Sequence, residues 1–384
     1  MAETSRAIPR RRLVLAVLLA VAVLVPYGYT FSRVWAGTGA DLRFTADEQD
    51  GVTYLRPLVV LIGAATDVQS AAARGAEPDR PALRSAIEAV DRADAAVGGR
   101  LGVEQRWRDA RQQLDQFSRS PGTGQAAVAA GGQAIGLLLG LASAVGDGSN
   151  LILDPRLDSY YVMDAVLLRI PAILVQAGLM ADLRSTARDS GGLPLQVVVA
   201  QQELRTEAAA LGEGLRKSLD ITASSTLGPA LLAQLDLLQA GVATMAPPTA
   251  ELGGAPTAPD AAALRTARGK VRDAALQLGA AGLDQLSALV RERSDAASAQ
   301  RTTVLAAGAG GAALALAVLW FGVGAPGRRQ AVGEDDAEPQ EQVTTRPVAD
   351  GDPAGYDLLD ARDLLDARQL VRVGRAVAPT RDDP

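Results

Sequence analysis

Asn150-Leu-Ile-Leu-Asp-Pro-Arg-Leu-Asp-Ser-Tyr-Tyr-Val-Met-Asp164, running on to Pro171, is the stretch that decides the fold. Asp154 followed by Pro155 is a helix start: an oxygen-bearing cap, then a ring that lacks an N–H no helix would use there. Asn150 and Asp158 flank that cap as structural residues. At helical spacing Leu157, Tyr160, Tyr161, Leu167, Leu168, Leu174 and Val175 share one broad face, with Asp164 at its middle. The opposite flank (Val162, Val166, Ile170, Ile173) is apolar too. A helix apolar almost all round belongs at the centre of a bundle, which puts the Asp164 carboxylate in a core.

Composition extends the helical reading to the whole chain. Aromatic residues make up 3% of the 384, and Ala, Leu and Val carry the apolar content, so helices are favoured over sheets. The chain has no cysteine and no histidine. Disulfides, thiol chemistry, serine–histidine triads and histidine-ligated zinc are therefore excluded. The net charge is −6, and no segment forms a basic patch, so a nucleic-acid partner has no electrostatic support.

Two uncharged runs frame the middle of the chain. Arg10-Arg11-Arg12 precede the first, Leu13 to Ser32, and Arg328-Arg329 follow the second, Thr302 to Gly327. Each is long enough to cross a bilayer as a helix. The first is read as an anchor over a cleaved leader, because Pro26-Tyr-Gly-Tyr-Thr-Phe31 offers no small-x-small cleavage site. Basic residues on the outer flanks place both termini in the cytoplasm. The expected organisation is a cytoplasmic N-terminus (1–12), a first transmembrane helix (13–35), an extracytoplasmic region (36–301), a second transmembrane helix (302–327) and an acidic tail (328–384). The anchors make the lipid bilayer a partner. Tyr27, Tyr29, Phe31 and Trp35 are expected to belt one interface and Trp320 with Phe321 the other. Ala307/Gly311 and Gly308/Ala312 give small-xxx-small spacing for close helix contact.

The periodicity of the outer region predicts helices over 38–74, with a kink at Pro57, and over 81–117, with one weak point at Gly98-Gly99. Further helices are expected over 125–146, 155–188, 195–219, 227–245 and 260–301, the last continuing into the second span. Such rods predict an all-α fold of antiparallel bundles, stacked as two modules along the membrane normal. The tail is Glu/Asp/Pro-rich to about Pro353, a composition that predicts disorder. Asp357-Leu-Leu-Asp-Ala-Arg362 is then repeated at 363–368. This is either a short helix over 356–372 that folds on a partner or duplicated low-complexity sequence.

Ser149 to Asp164, with Leu167, Leu168 and Pro171, resembles the helical extracytoplasmic sensing region of two-span bacterial receptors, the chemotaxis receptors and sensor kinases among them. Weaker similarity touches Gly51-Val-Thr-Tyr-Leu-Arg-Pro57 and Gly102-Val-Glu-Gln-Arg-Trp107. The resemblance implies a domain that senses a small molecule or partner and passes a displacement through the second span. A homodimer is the expected assembly. No phosphoacceptor histidine, cyclase motif or long coiled coil follows the second span, so output is expected from a separate cytoplasmic signalling protein met through the tail.

Two readings of Asp164 stand open. In one it is a polar contact between helices, paired with Arg56, because an ionised carboxylate in a core needs a cation and further hydrogen bonds. In the other, Asp164, Tyr160, Tyr161 and Arg56 line a ligand pocket. The Asp154, Asp158 and Asp164 set makes a poor metal site, since Asp164 faces elsewhere and no calcium loop is present; neither metal nor cofactor is expected. Catalysis is not expected either, because nucleophile–base pairs are absent. The expected role is a membrane-anchored sensor, with a non-signalling membrane scaffold as the alternative.

Overall fold

The computed structural model describes residues 10–153, 157–186, 195–221, 228–247 and 261–324. Asp154, Pro155, the side chain of Asp158, and the tail repeat at 357–368 lie outside what is described. Among the described residues every regular element is a helix, and the fold is all-α. In chain order these are α1 (Arg10–Ala73), α2 (Arg80–Ala93), α3 (Gly99–Leu101), α4 (Glu104–Arg119), α5 (Gly124–Gly148), α6 (Leu157–Asp164), α7 (Ile170–Thr186), α8 (Leu195–Ile221), α9 (Gly228–Met245) and α10 (Ala261–Gly324). Wider π-helical turns join α2 to α3 (Asp94–Gly98) and α6 to α7 (Ala165–Arg169).

Two rods dominate. Helices α1 and α10 have 64 residues each, about 96 Å at 1.5 Å per residue. Helix α1 runs through both Pro26 and Pro57. It stops where Gly75 adopts φ +68. There Ala76 N donates to the Ala71 carbonyl and Gly75 N to that of Ala72, both at 2.9 Å, the paired bonds of a Schellman stop. Asp79 then caps α2 by accepting from Ala82 N at 3.0 Å. Leu83, Ala86, Ile87, Val90 and Ala93 turn its apolar stripe inward.

The single helix expected over 81–117 is broken, and not at Gly98-Gly99. The break falls at Gly102, whose φ of +68 no β-carbon-bearing residue adopts readily. Val103 N closes the turn on the Gly98 carbonyl at 3.1 Å. The chain reverses there, so Trp107 Nε1 donates to Asp91 Oδ1 at 2.9 Å and Arg111 Nε reaches Asp91 Oδ2 at 3.4 Å. Asp94, in the π turn beside this junction, accepts from the fully buried Tyr54 at 3.0 Å. Burial, then the neighbouring Asp94, pushes the Tyr54 hydroxyl far above its usual range.

Helix α1 packs on α10, α5, α2 and α7, and α10 packs on α1, α9, α7 and α6. One continuous hydrophobic core joins them. Leu58 and Ile62 of α1, Leu138 and Leu141 of α5, Ile170 and Ile173 of α7, Leu204 of α8, Leu235 of α9 and Leu278 of α10 all belong to it. Each such side chain contributes about 1.5–3 kcal/mol by leaving water. Close approach depends on glycine. A β-carbon at Gly282 would sit 2.7 Å from Val166, and one at Gly241 would sit 2.7 Å from Val271.

Among the described residues, three helical stretches are long and apolar enough to cross a membrane: Val21–Ala73, Gly124–Gly148 and Ser159–Thr186. The protein is membrane-associated. The exposed large apolar side chains include a set at the paired ends of the two rods: Val14, Leu18, Val21, Val23 and Val25 on α1, and Leu305, Leu314, Leu316 and Trp320 on α10. There the small residues of α10 receive aromatic knobs. Tyr27 packs on Gly311 and donates to the Ala307 carbonyl, and Phe31 packs on Gly308. Trp35 stacks with Phe31 at 6.0 Å and lies 4.0 Å under the Arg301 guanidinium. Of the four aromatics expected to form an outer belt, Tyr27, Phe31 and Trp35 thus join α1 to α10, and only Tyr29 is strongly exposed.

Candidate functional site

The Ser149–Asp164 stretch is positioned by a plug. Ser149 is fully buried and donates to the Val145 carbonyl at 2.6 Å, ending α5. Gly51 of α1 lies directly beneath it, where a β-carbon would collide with the serine. Asn150 follows with φ +59, the left-handed conformation that asparagine tolerates best among residues with side chains. Its Nδ2 reaches Asp47 on α1 at 3.5 Å.

Beyond this plug the structure brings together a different set from the four residues expected. Tyr160 and Tyr161 meet edge-on at 5.5 Å. Tyr160 is exposed, whereas Tyr161 lies against Gly214 of α8 with Lys217 Nζ 5.9 Å over its ring. Asp164 is half-buried and accepts from Arg169 Nε at 3.0 Å. Arg169 in turn donates to Glu207 of α8 at 2.9 Å. These two bonds, Asp164 first, hold the Arg169 guanidinium even more firmly protonated than usual.

The expected Asp164–Arg56 pair does not form. Arg56 pairs with Asp284 of α10 at 2.7 Å on the outer surface of the bundle. The reason is local. In a regular α-helix residues five apart point about 140° away from each other. The π turn over Ala165–Arg169 widens the spiral, and Arg169 comes level with Asp164. Pro171, which has no N–H to donate, sits just after this turn. The motif's acid thus finds its cation on its own strand of helix and needs none from α1.

The deeply buried acids are others. Asp182, near the end of α7, is fully buried, and its Oδ2 accepts from Gln69 Nε2 of α1 at 2.9 Å. The Gln69 Oε1 has no hydrogen-bond partner, and the Ser70 hydroxyl stands beside the carboxylate without a well-formed bond to it. Burial drives the Asp182 carboxyl above the ordinary acid range, against the opposite pull of Gln69, of Ser70, and of Arg268 and Arg74. Around this core Arg268 of α10 bonds Asp67 Oδ1 at 2.9 Å and the Thr66 carbonyl at 3.2 Å, and Arg272 reaches Asp67 Oδ2 at 2.6 Å. Burial, then the adjacent Arg268, lowers Arg74. Closer to the Tyr27–Phe31 end of the rods, Glu48 of α1 is fully buried and faces Arg293 of α10 at 3.4 Å. Gln49 and Ser287 bond across the same pair of helices at 3.2 Å.

No family model, curated protein or solved structure matches the chain. Function therefore has to be argued from this arrangement. Polar chemistry is concentrated between α1 and α10 at two levels, Glu48–Arg293 and Asp182–Gln69–Arg268, with α7 joining the upper one. A sequence signal for them existed: Glu48, Gln69 and Asp182 interrupt otherwise apolar helical faces. Asp164 drew attention instead because its neighbours are aromatic. Among the described residues, no three acidic side chains gather closely enough to hold a metal ion.

Proposed function

We propose that this chain is a membrane-anchored, sensor-like protein. In this reading its helical bundle, outside the cytoplasm, binds a small molecule or partner. A displacement then passes along α1 and α10 to a separate cytoplasmic protein. The observation that carries it is continuity. The residues that anchor these helices to each other (Tyr27, Phe31, Gly308) and those that tie them at the buried acids (Glu48, Gln69, Arg268, Arg293) lie on the same two unbroken helices. A shift of one rod against the other has no joint in which to dissipate. Helix α7 completes the linkage through Asp182.

The two-pass topology rests on the same pair. The apolar ends of α1 and α10 lie side by side and are flanked by Arg10–Arg12 and Arg328–Arg329, which favours both termini in the cytoplasm. The other two membrane-length stretches read as bundle helices. The outward face of α5 is Gln125, Ala126, Ala129, Gly132, Gln133, Gly136 and Gly140 with only Leu137 among large apolar residues, which is not a lipid-facing surface. The stretch over α6 and α7 is mostly interior.

The chain has no cysteine of its own, so introduced cysteines report cleanly. A membrane-impermeant maleimide should label a cysteine at the exposed position 196 on intact cells and one at position 340 only after lysis. A Phe31→Cys, Gly308→Cys pair should then cross-link at a rate that changes when the outer domain is occupied. Labelling of both 196 and 340 in intact cells would refute the topology. A cross-linking rate indifferent to every added extract would leave a non-signalling scaffold.

A further inference from the structure

A trough of about 360 Å³ opens between α9 and α10, away from both buried acids. That volume is within the range of small-molecule sites. Ala240, Gly241 and Ala274 form its floor, Leu237 stands on one wall, and Gln234, Lys270, Asp273 and Gln277 supply the polar groups. The trough exists because two small residues and a glycine face the place where two antiparallel helices would otherwise interdigitate. Gly241 is needed for that approach, since its β-carbon would press on Val271.

Three features give the trough a chemistry. Lys270 makes no ion pair among the described residues, although carboxylates occur nearby. Asp273, one turn further along the same helix, uses Oδ1 on Arg272 at 2.8 Å and keeps its other oxygen. Gln234 Oε1 is buried with no hydrogen-bond partner, an acceptor waiting for a donor. A cation, an anion and an amide acceptor are thus held about one helical turn apart over an apolar floor.

We propose that this trough binds a small zwitterion of the α-amino-acid class. Lys270 takes the carboxylate, Asp273 and Gln234 take the ammonium, and the side chain lies along Leu237, Ala240 and Ala274. A zwitterionic lipid headgroup offers similar charges but is too far away. Lys270 lies 32 residues above the start of the second apolar run at Thr302, about 48 Å along a helix. The inference deepens the sensing role proposed above, and because the trough is built half from α10 its occupant would bear directly on one of the two long rods.

The test is calorimetry and thermal melting of the full chain in detergent micelles against a panel of free amino acids. At least one with a short aliphatic or amide side chain should bind. Its N-acetyl derivative, which lacks the ammonium, and the matching amine, which lacks the carboxylate, should each bind on the order of tenfold more weakly, the loss of one charge-assisted contact. Lys270→Met should have the same effect as removing the carboxylate. Ala240→Phe, at an exposed position, should fill the trough and abolish binding while leaving the melting temperature of the free protein unchanged. The proposal is overturned if no amino acid binds, if the N-acetyl derivative binds as well as the parent, or if Ala240→Phe binds normally. Failure here leaves the cross-linking experiment on α1 and α10 untouched, so a wrong ligand class is distinguishable from a wrong role.

Discussion

Replacing Asp182 by asparagine should make this protein more stable, an unusual outcome for a change at a fully buried polar position. The carboxylate accepts from Gln69 Nε2 at 2.9 Å, the Ser70 hydroxyl lies close enough to favour its charged form weakly, and the Gln69 Oε1 is unpartnered. An asparagine can keep the first bond and offer its own N–H to Gln69 Oε1, closing a reciprocal amide pair. Each buried oxygen left unpaired costs about 1–3 kcal/mol, and a new hydrogen bond returns about 1 kcal/mol net. Allowing for imperfect geometry, Asp182→Asn should gain about 1–2 kcal/mol near neutral pH, about 2–8 °C in melting temperature for a domain of this size.

The pH dependence is the sharper check. Burial raises the folded carboxyl above its ordinary value of 3.8. Between 3.8 and that raised value the folded state still holds a proton that the unfolded state has released. Stability of the parent therefore falls as pH rises through this window, and the full penalty is present above it. Below 3.8 both states are protonated, the penalty vanishes, and a neutral carboxyl can donate to Gln69 Oε1 as asparagine would. Melting curves of both proteins in the same detergent from pH 3.5 to 8 should thus diverge upward in pH and converge downward. A constant difference, or an asparagine variant less stable at pH 8, would refute the argument that desolvation governs this site.

Glu48→Ala leaves Arg293 facing an empty space where a buried partner stood, and should cost about 3–5 kcal/mol, seen as a fall in melting temperature. Gly148→Ala drives a methyl into the Leu101 carbonyl and should cost about 1–3 kcal/mol, whereas Gly140→Ala on the same helix meets nothing within 4 Å and should gain about 1 kcal/mol. The pair is compared in one denaturation series. Gly308→Leu evicts the Phe31 ring, which lies 2.6 Å from where its β-carbon would stand. Disulfide yield between cysteines placed at 35 and 301 should fall several-fold in membranes without loss of the bundle's helical circular dichroism.

The helices were legible because their periodicity is strong and their stops are chemical. Asp79-Arg80-Pro81 starts α2 and Ala73-Arg74-Gly75 stops α1 in the way their side chains dictate. Gly102 was missed because a glycine near the end of an apolar run looks the same whether it adopts a helical or a left-handed φ; only the packing of Trp107 and Arg111 back onto Asp91 selects the reversal. The site was less legible for a related reason. The 3.6-residue period placed Asp164 on a buried face and assigned it a distant cation. The π turn at Ala165–Arg169 adds one residue to the spiral, and that single residue is enough to supply a nearer one.

Asp182 and Glu48 show the converse. Each interrupts an apolar face in the sequence, but the group that pairs with it comes from another helix, far away along the chain. Gln69 stands 113 positions from Asp182, and Arg293 stands 245 from Glu48. Ordering those partners against each other is worthwhile only if α1, α7 and α10 are held in one register, since burying an acid between helices that slide would expose it to loss of its donor at every step. Glu48 fixes α1 against α10 directly, and Asp182 fixes α7 against α1 with Arg268 of α10 beside it, so two acids at two heights set discrete relative positions for α1 and α10. That is the property a transmitting pair requires and a passive tether does not, and it is why substitution at 48 or 182 should change the cross-linking between the membrane ends as well as stability.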